Sequence, residues 1–247
     1  MIRPAPAWSL PRVFAHRCGG ALAPENTLAG LSIAAALGYR AVEFDVMLSA
    51  DGTPWVIHDE TLVRTTSGFG NVCDTPDAIL RTLDAGSYQN RAFCGEPLPI
   101  FAEIARKTLA LGLFANVEIK PATGFERVTG EVVAQQILEL WGDAPMPLVS
   151  SFSEEALAAA RGVAPQLPLG YLCDRPPEDW VRRIEKVAAY SLHCAASELD
   201  DSVLAEAHAL GIPVLCFTVN DRKEAEALFV RGVSAVFSDR IDALRGL

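Results

Sequence analysis

The sequence predicts an α/β fold, a (β/α)8 TIM barrel. Apolar runs of strand length alternate with helical patterns from Val13 to the end of the chain. They make about eight βα units in 247 residues, which is the usual size of such a barrel. Polar residues repeatedly follow the strands directly, where barrel active sites lie. A doubly wound open sheet is the alternative, but the chain lacks the glycine-rich phosphate loop that would support it.

The first part of the chain predicts a strand, a helix and a hairpin. Val13–Arg17 is the first strand, and Glu25-Asn26-Thr27 is suited to cap a helix that ends near residue 37. Ala41–Leu48 and Trp55–His58 are strand-like runs joined by Ser49-Ala50-Asp51-Gly52. Because that tetrapeptide is typical of a tight turn, we expect the two runs to form a hairpin.

An irregular stretch interrupts the alternation between residues 60 and 99. It is rich in Thr, Gly and Asp and is too long for an ordinary loop. Leu80, Leu83, Tyr88 and Phe93 supply apolar anchors, which argues against a floppy lid. We therefore predict one barrel domain over residues 1–247 with a small inserted subdomain at about 60–99.

Regular alternation returns after the insertion. The predicted helices cover 100–111, 126–141, a segment that begins at Ser153-Glu154-Glu155, 178–188, 201–210 and 221–231, with a short terminal helix after the last strand. The predicted strands are Leu113–Lys120, Pro147–Phe152, Leu169–Cys173, Tyr190–Ala195, Val214–Val219 and Ala235–Ser238.

The net charge argues against several classes of partner, and the cysteine usage indicates the redox compartment. The net charge of −10 and the pI near 4.9 argue against nucleic acid and against anionic membrane surfaces. Six cysteines without a CxxC pair or zinc spacing favour a reducing compartment. Prolines interrupt the N-terminal MIRPAPAWSLPRVF where a signal peptide needs an apolar core, and no apolar run approaches the ~20 residues of a membrane helix. We expect a cytoplasmic protein without membrane insertion, whose oligomeric state stays open.

Three carboxylates predict a site for a hard cation. Glu43 and Asp45 are two residues apart in an apolar strand, so both leave the same face. Glu118 arrives from another strand. Unpaired charge in an apolar strand is costly, which disfavours the alternative of three unrelated surface acids. Ligands that are all oxygen suit Mg²⁺ or Ca²⁺.

Histidines and cations accompany these acids. His16 and Arg17 end the first strand, His58 ends the hairpin, and Lys120 ends the strand of Glu118. Histidine exchanges protons near neutral pH, and arginine and lysine bind phosphoryl oxygens. Together with a metal, these residues indicate phosphate-ester chemistry.

Six motifs carry a family resemblance. They are AHRCGGALAPENTLAGL, AVEFDVMLSADGTPWVIHDETLVRTTSGFGNV, NVEIKP, LPLGYLCD, CFTVND and VFSDRID, and with the strand before them they span Val13 to Asp242. In their order and spacing the chain resembles the glycerophosphodiester phosphodiesterases, which are TIM barrels with a small insertion after the second strand. The resemblance implies hydrolysis of substrates such as glycerophosphocholine or glycerophosphoethanolamine to sn-glycerol 3-phosphate and an alcohol.

The same resemblance implies roles for seven residues. It makes His16 and His58 the proton carriers but leaves their order open; we favour His16 as base and His58 as acid. It makes Arg17 and Lys120 the phosphate-binding residues, and Glu43, Asp45 and Glu118 the ligands of a divalent Mg²⁺ or Ca²⁺ ion. The nucleophile stays open between water and the neighbouring glycerol hydroxyl.

Two positions depart from the family pattern. Cys18 replaces the glycine after His-Arg, either as a reactive thiol activated by Arg17 or, as we favour, as a replacement that the turn tolerates. Phe217 replaces a tryptophan and keeps an apolar wall without the indole N–H. Phe217 and His193 are candidates for the substrate pocket, whereas Asp239 is expected to cap the last helix.

Two other functions compete with this one. A phospholipase D-type barrel acting on lysophospholipids should show an apolar membrane-binding rim or a secretion signal, and we expect neither from this acidic sequence. A non-catalytic phosphate-binding barrel should lack some metal ligands or histidines, and all of them are present in the sequence.

Overall fold

Eight parallel strands close into a ring in the computed structural model, which describes residues 9–247. β1 (Val13–Ala15) pairs with β2 (Ala41–Leu48) on one side and with β9 (Ala235–Ser238) on the other, which closes the barrel. β3 (Pro54–Val56) pairs antiparallel with β2 outside the ring, as the hairpin pattern predicts. The other ring strands are β4 (Phe114–Ile119), β5 (Leu148–Ser151), β6 (Leu169–Cys173), β7 (Ser191–Ala195) and β8 (Val214–Phe217). The predicted (β/α)8 barrel is confirmed.

Helices alternate with the strands, and local sequence explains where several begin. Thr27, Ser153 and Asp221 each accept a hydrogen bond from a backbone N–H of the first turn that follows them. The helices are α1 (Leu28–Ala36), α2 (Asp77–Leu80), α3 (Phe101–Ala110), α4 (Glu126–Trp141), α5 (Glu154–Val163), α6 (Trp180–Val187), α7 (Asp201–Leu210) and α8 (Arg222–Arg231). Residues 241–247 form turns, so the predicted terminal helix is wrong.

Apolar residues fill the lower part of the barrel and leave its upper end to polar groups. Phe14, Ala41, Leu148, Leu215, Ala235 and Phe237 form one buried cluster. Ala41, Leu148 and Leu215 each precede by two residues a side chain that lines the cavity described below, so they share its inward face. The strands therefore bury hydrocarbon at their start and present polar side chains at their end.

The insertion packs on the hairpin through a small core of its own. Leu62, Val72 and Leu80 are buried together with Trp55 and Ile57 of the hairpin. The predicted anchor Leu80 is thus buried, and Leu83 packs against the same cluster, whereas Tyr88 is 41% exposed. The division into one domain with an inserted subdomain stays a prediction.

The structure also bears on the expectations about membrane spans and about the cysteines. Within residues 9–247, no helix is long and apolar enough to cross a membrane. The prolines that argue against a signal peptide lie mostly outside the described residues. All six cysteines, which the described chain includes, are free thiols.

Candidate active site

A cavity of about 220 Å³ opens at the C-terminal end of the barrel strands. All nine residues that the sequence analysis selects line it: His16, Arg17, Glu43, Asp45, His58, Glu118, Lys120, His193 and Phe217. A larger cavity of about 520 Å³ lies at the opposite end, near Arg12 and Tyr39, and the described residues that line it include no acidic side chain or histidine. The chemistry is therefore concentrated in the smaller cavity.

The three acidic residues converge as predicted. Asp45 and Glu118 are direct partners across β2 and β4, and each of the three residues offers an oxygen within 4.8 Å of the others. Glu43 and Asp45 are 3% and 1% exposed, so their charges are almost fully desolvated. Glu43 Oε1 has no hydrogen-bond partner among residues 9–247. This donor set fits a divalent cation, which would compensate the buried negative charge.

The pKa values of the carboxylates show the cost of that convergence. Burial, followed by the charges of neighbouring carboxylates, raises the pKa of Glu43 well above its ordinary value. The same causes raise the pKa of Glu118 to about 7. Burial also opposes ionisation of Asp45, but the positive charges of Lys120, His58 and Arg17 outweigh it and lower the Asp45 pKa. Two of the three acids thus hold protons more tightly than free carboxyl groups do.

Each of the two predicted proton carriers, His16 and His58, is held by a carboxylate through Nδ1. His16 Nδ1 lies 2.7 Å from Asp239 Oδ1, and His58 Nδ1 lies 2.6 Å from Asp59 Oδ1. Because an ionised carboxylate only accepts, Nδ1 carries the proton in both pairs and Nε2 faces the cavity. Lys120 Nζ lies 2.7 Å from His58 Nε2. Burial lowers the pKa of His58, which favours its neutral form.

Asp239 corrects a sequence-based expectation. We predicted that it caps the last helix, but no helix follows β9 within the described chain and its carboxylate binds His16 instead. The Asn220 side-chain oxygen fixes this turn by accepting from the backbone N–H groups of Asp239 and Arg240, at 2.8 and 3.2 Å. Asp59 also went unassigned in the sequence analysis. The available signal was that both acids directly follow strand-like runs.

The turn that carries Arg17 folds back onto β2. Arg17 and Cys18 have φ angles of 48° and 72°, in the left-handed region that costs non-glycine residues about 1–2 kcal/mol each. Arg17 N donates to Glu43 Oε2 at 2.9 Å and Cys18 N donates to Glu43 O at 2.8 Å, which compensates this strain. Within the described chain, the Arg17 Nε atom is buried without a hydrogen-bond partner. It lies 3.9 Å from Asp45 Oδ2.

Cys18 is not the activated thiol that one interpretation suggested. Its side chain is fully buried, and burial raises the thiol pKa well above its ordinary value, followed by the charges of Glu43 and Asp45. The side chain packs closely against the backbone of α1 at Gly30. The reactive-thiol interpretation is therefore wrong, and a tolerated glycine replacement agrees with the packing.

Neutral polar groups form the floor of the cavity. Burial lowers the pKa of His193 to about 3, so its imidazole is uncharged. His193 Nε2 lies 2.9 Å from Ser191 Oγ, while His193 Nδ1 and Asn116 Oδ1 lack hydrogen-bond partners in the part of the chain that the structure describes. Gly170 makes room for the ring, because a Cβ there would lie 2.6 Å from His193 Nε2. Phe217 forms an adjacent wall, with its ring 6.1 Å from that of Phe152.

Comparisons with known proteins agree with one family. Residues 16–243 match the family model described as the glycerophosphoryl diester phosphodiesterase family. A glycerophosphodiester phosphodiesterase of Caldanaerobacter subterraneus is 31% identical over 237 residues, which cover 95% of this chain and 96% of that protein. The structure of an Oleispira antarctica phosphodiesterase in complex with the product sn-glycerol-3-phosphate matches with a TM-score of 0.92 and 38% identity, over 95% of each chain. An Agrobacterium tumefaciens glycerophosphodiester phosphodiesterase matches with a TM-score of 0.81 and 25% identity, over 96% of this chain and 100% of the other.

Proposed function

The chain belongs to the glycerophosphoryl diester phosphodiesterase family, and from that premise we propose a metal-dependent hydrolase with paired histidines. Its substrates are glycerophosphodiesters such as glycerophosphocholine and glycerophosphoethanolamine, which it cleaves to sn-glycerol 3-phosphate and an alcohol. The observation that supports this most is the convergence of metal ligands, histidines and phosphate-binding cations in one cavity. A cytoplasmic location stays a prediction.

The metal centre consists of Glu43, Asp45 and Glu118. Their close oxygen atoms and the unpartnered Glu43 Oε1 support a divalent cation, with Mg²⁺ and Ca²⁺ as the proposed ions. A bound divalent cation supplies Lewis-acid stabilisation of charge on the phosphate. Lys120 Nζ lies 3.4 Å from Glu118 Oε1 and 3.9 Å from Asp45 Oδ1, so it adjoins the ion site.

The histidines exchange protons through Nε2. Asp239 and Asp59 bind the Nδ1 atoms, which fixes the ring orientations and keeps Nε2 unprotonated in the neutral imidazoles. One neutral histidine takes at Nε2 the proton of the attacking water, or of the neighbouring glycerol hydroxyl, in which case a cyclic phosphate forms first and water then opens it. The other histidine reacts as the imidazolium and donates its Nε2 proton to the leaving alcohol oxygen. As in the sequence analysis, we propose His16 as the base and His58 as the acid.

Arg17 and Lys120 hold the phosphate oxygens. The buried Arg17 Nε has no hydrogen-bond partner among the described residues, and one Nη atom is held by Glu25 at 3.0 Å, which orients the guanidinium. A planar guanidinium suits two phosphate oxygens at once. Lys120 contributes a compact charge beside His58, where the departing oxygen would be protonated.

The floor of the cavity suits the glycerol part of the substrate. A hydroxyl group both donates and accepts, which matches a neutral imidazole nitrogen and an amide oxygen. His193 Nδ1 and Asn116 Oδ1 are buried groups of this kind that lack partners among residues 9–247. Leaving them unpaired is costly, so a bound hydroxyl would gain affinity there. Phe217 would pack against the carbon chain of the substrate.

The lysophospholipid alternative has one supporting feature. Val63 and Phe69 are 59% and 82% exposed, and both lie in the insertion near Arg64 in sequence. Exposed apolar side chains that cluster on a surface can mark a region that contacts a membrane. The non-catalytic alternative has no such support, because it required a missing ligand or histidine and all of them line one cavity.

A head-group panel with and without chelator tests the proposal. The purified protein should hydrolyse glycerophosphocholine and glycerophosphoethanolamine in the presence of Mg²⁺ or Ca²⁺ and lose that activity in EDTA. Faster cleavage of lysophosphatidylcholine than of glycerophosphocholine would favour the lipid-active alternative. Undiminished turnover in EDTA would exclude the metal centre, and absence of any phosphodiesterase activity would contradict the function.

A further inference from the structure

Arg64 of the insertion connects two carboxylates, each of which holds a different residue of the active site. Its guanidinium donates from Nη1 and Nη2 to Glu25 at 2.7 and 2.8 Å. It also donates to Asp59, from Nη2 at 2.9 Å and from Nε. Glu25 in turn accepts from Arg17 Nη1 at 3.0 Å, and Asp59 holds His58 Nδ1 at 2.6 Å. The Arg64 side chain therefore contacts both carboxylates that hold active-site residues, one on the phosphate-binding arginine and one on a histidine.

Other residues of the insertion hold the β1–α1 loop and the first turn of α1. Tyr88 Oη accepts a hydrogen bond from Glu25 N at 2.9 Å, and Glu96 Oε1 accepts one from Ala29 N at 2.8 Å. Gln89 Nε2 donates to the Ala21 carbonyl at 3.0 Å. These contacts hold the backbone of the loop and of the first helical turn, whereas Arg64 contacts the side chain of Glu25. Arg64 is thus the member of this group that places a positive charge against the carboxylates behind Arg17 and His58.

The charges explain what Arg64 would do. Glu25 lies against Arg17, so without a second cation its carboxylate would compete with the substrate phosphate for that guanidinium. Asp59 lies against His58, and an uncompensated carboxylate there would favour the protonated imidazole. The hydrogen bonds from Arg64 are the largest cause that lowers the pKa of Asp59, so the arginine stabilises the ionised form of this acid. The planar fork of arginine can serve both acids at once.

We infer that Arg64 is a positioning residue that neutralises Glu25 and Asp59, leaving Arg17 available to the phosphate and His58 held by Asp59 at Nδ1 with Nε2 toward the cavity. The inference rests on the proposed function for its kinetic consequences and on the contacts above for its geometry. It gives the insertion a defined task, which is to complete the charge balance of an active site built mostly by barrel strands.

Kinetics on glycerophosphocholine provide the first test. Arg64→Gln should raise KM by about tenfold, because Glu25 then competes with the phosphate for Arg17, and should lower kcat by about tenfold, because Asp59 loses the charged hydrogen bonds that orient it on His58. Arg64→Lys should fall between Arg64→Gln and the parent enzyme, because lysine restores the charge without the fork. The matched control is Arg127→Gln, which removes another paired arginine from the exposed surface of α4 and should leave both constants unchanged.

A second substitution separates this role from a merely structural one. Glu25→Gln in the Arg64→Gln background removes the charge that competes for Arg17 but keeps an amide oxygen for its Nη1. The double variant should recover KM to within about threefold of the parent enzyme while kcat stays low, because Asp59 still lacks the hydrogen bonds that orient it on His58. If the double variant shows a KM as high as that of Arg64→Gln or higher, the inference is overturned.

A substrate-free measurement keeps the inference independent of the proposed function. The groups that face His58 are Asp59, Asp45 from β2, Lys120 after β4 and Arg17 after β1. Imidazole nitrogen NMR should show the His58 pKa higher in Arg64→Gln than in the parent and unchanged in Arg127→Gln. An unchanged His58 titration in folded Arg64→Gln overturns the inference. If the parent hydrolyses no glycerophosphodiester, the proposed function fails, and this titration still decides the role of Arg64.

Discussion

Replacing Asp239 with asparagine tests the protonation of His16 with a change of one atom. In the structure, Asp239 Oδ1 faces His16 Nδ1 at 2.7 Å and Asp239 Oδ2 faces the Asn220 amide nitrogen at 3.4 Å. An asparagine at this position would direct its oxygen toward that donor and its NH₂ group toward His16. His16 Nδ1 would then have to accept, which moves the ring proton to Nε2 and removes the base from the cavity.

The expected loss follows from that tautomer. An enzyme whose histidine base is held in the wrong tautomer loses about 10⁴ in kcat, and losing a proton carrier altogether costs about 10²–10⁴. We therefore expect Asp239→Asn to lower kcat on glycerophosphocholine by about 10³-fold or more, which is at least about 4 kcal/mol in barrier height. Little change in KM should accompany it.

The assay is steady-state hydrolysis at saturating divalent cation, with folding checked by circular dichroism. Asp242→Asn is the matched control. Asp242 lies three residues after Asp239 in sequence and pairs with Arg240 on the surface. A kcat for Asp239→Asn within about threefold of the parent enzyme would refute the reasoning that Asp239 sets the His16 tautomer.

The buried carboxylates should make the metal-free protein less stable as the pH rises. The unfolded chain loses the Glu118 proton near the ordinary pKa of 4.5, whereas the folded state keeps it up to about 7, so stability falls across that interval; equal urea midpoints at pH 5 and pH 8 would contradict this. Divalent-cation affinity should rise over the same interval, because the ligands must release protons; calorimetric titration measures it, and a pH-independent affinity would place the ion elsewhere. His193→Leu should raise KM for glycerophosphocholine by about tenfold through loss of a hydroxyl contact, and an unchanged KM would remove His193 from substrate binding. Iodoacetamide should modify exposed Cys94 and leave buried Cys18 and the activity intact; peptide mass spectrometry locates the label, and inactivation with labelled Cys18 would revive the reactive thiol.

The parts of the fold that depend on local patterns were predictable from the sequence. Alternating apolar runs and helical periods predict the order of the strands. Because side chains alternate between the two faces of a strand, the spacing of Glu43 and Asp45 places both on one face. The position of Glu118 beside Asp45 was also predictable, because the predicted fold makes β2 and β4 neighbours in the barrel. These inferences need only residues that are close in sequence or strands that are adjacent by topology.

The contacts that depend on ring closure were not predictable. His16 and Asp239 are 223 residues apart and meet because β1 pairs with β9, with an exact register that periodicity does not specify. The tight turn at Arg17 and Cys18 is also invisible to side-chain patterns, because it depends on backbone angles and on contacts with Glu43. The role of Arg64 was not predictable either. The insertion has no regular periodicity, and the partners of Arg64, Asp59 and Glu25, lie 5 and 39 residues away in sequence.

Anomalous diffraction from crystals grown with Mn²⁺ and sn-glycerol 3-phosphate tests the central claim most directly. The account predicts one strong metal peak at about 2.0–2.6 Å from oxygens of Glu43, Asp45 and Glu118, with the phosphate against Arg17 and Lys120. A metal peak elsewhere, or a phosphate bound away from these residues while the three carboxylates remain without an ion, would contradict it.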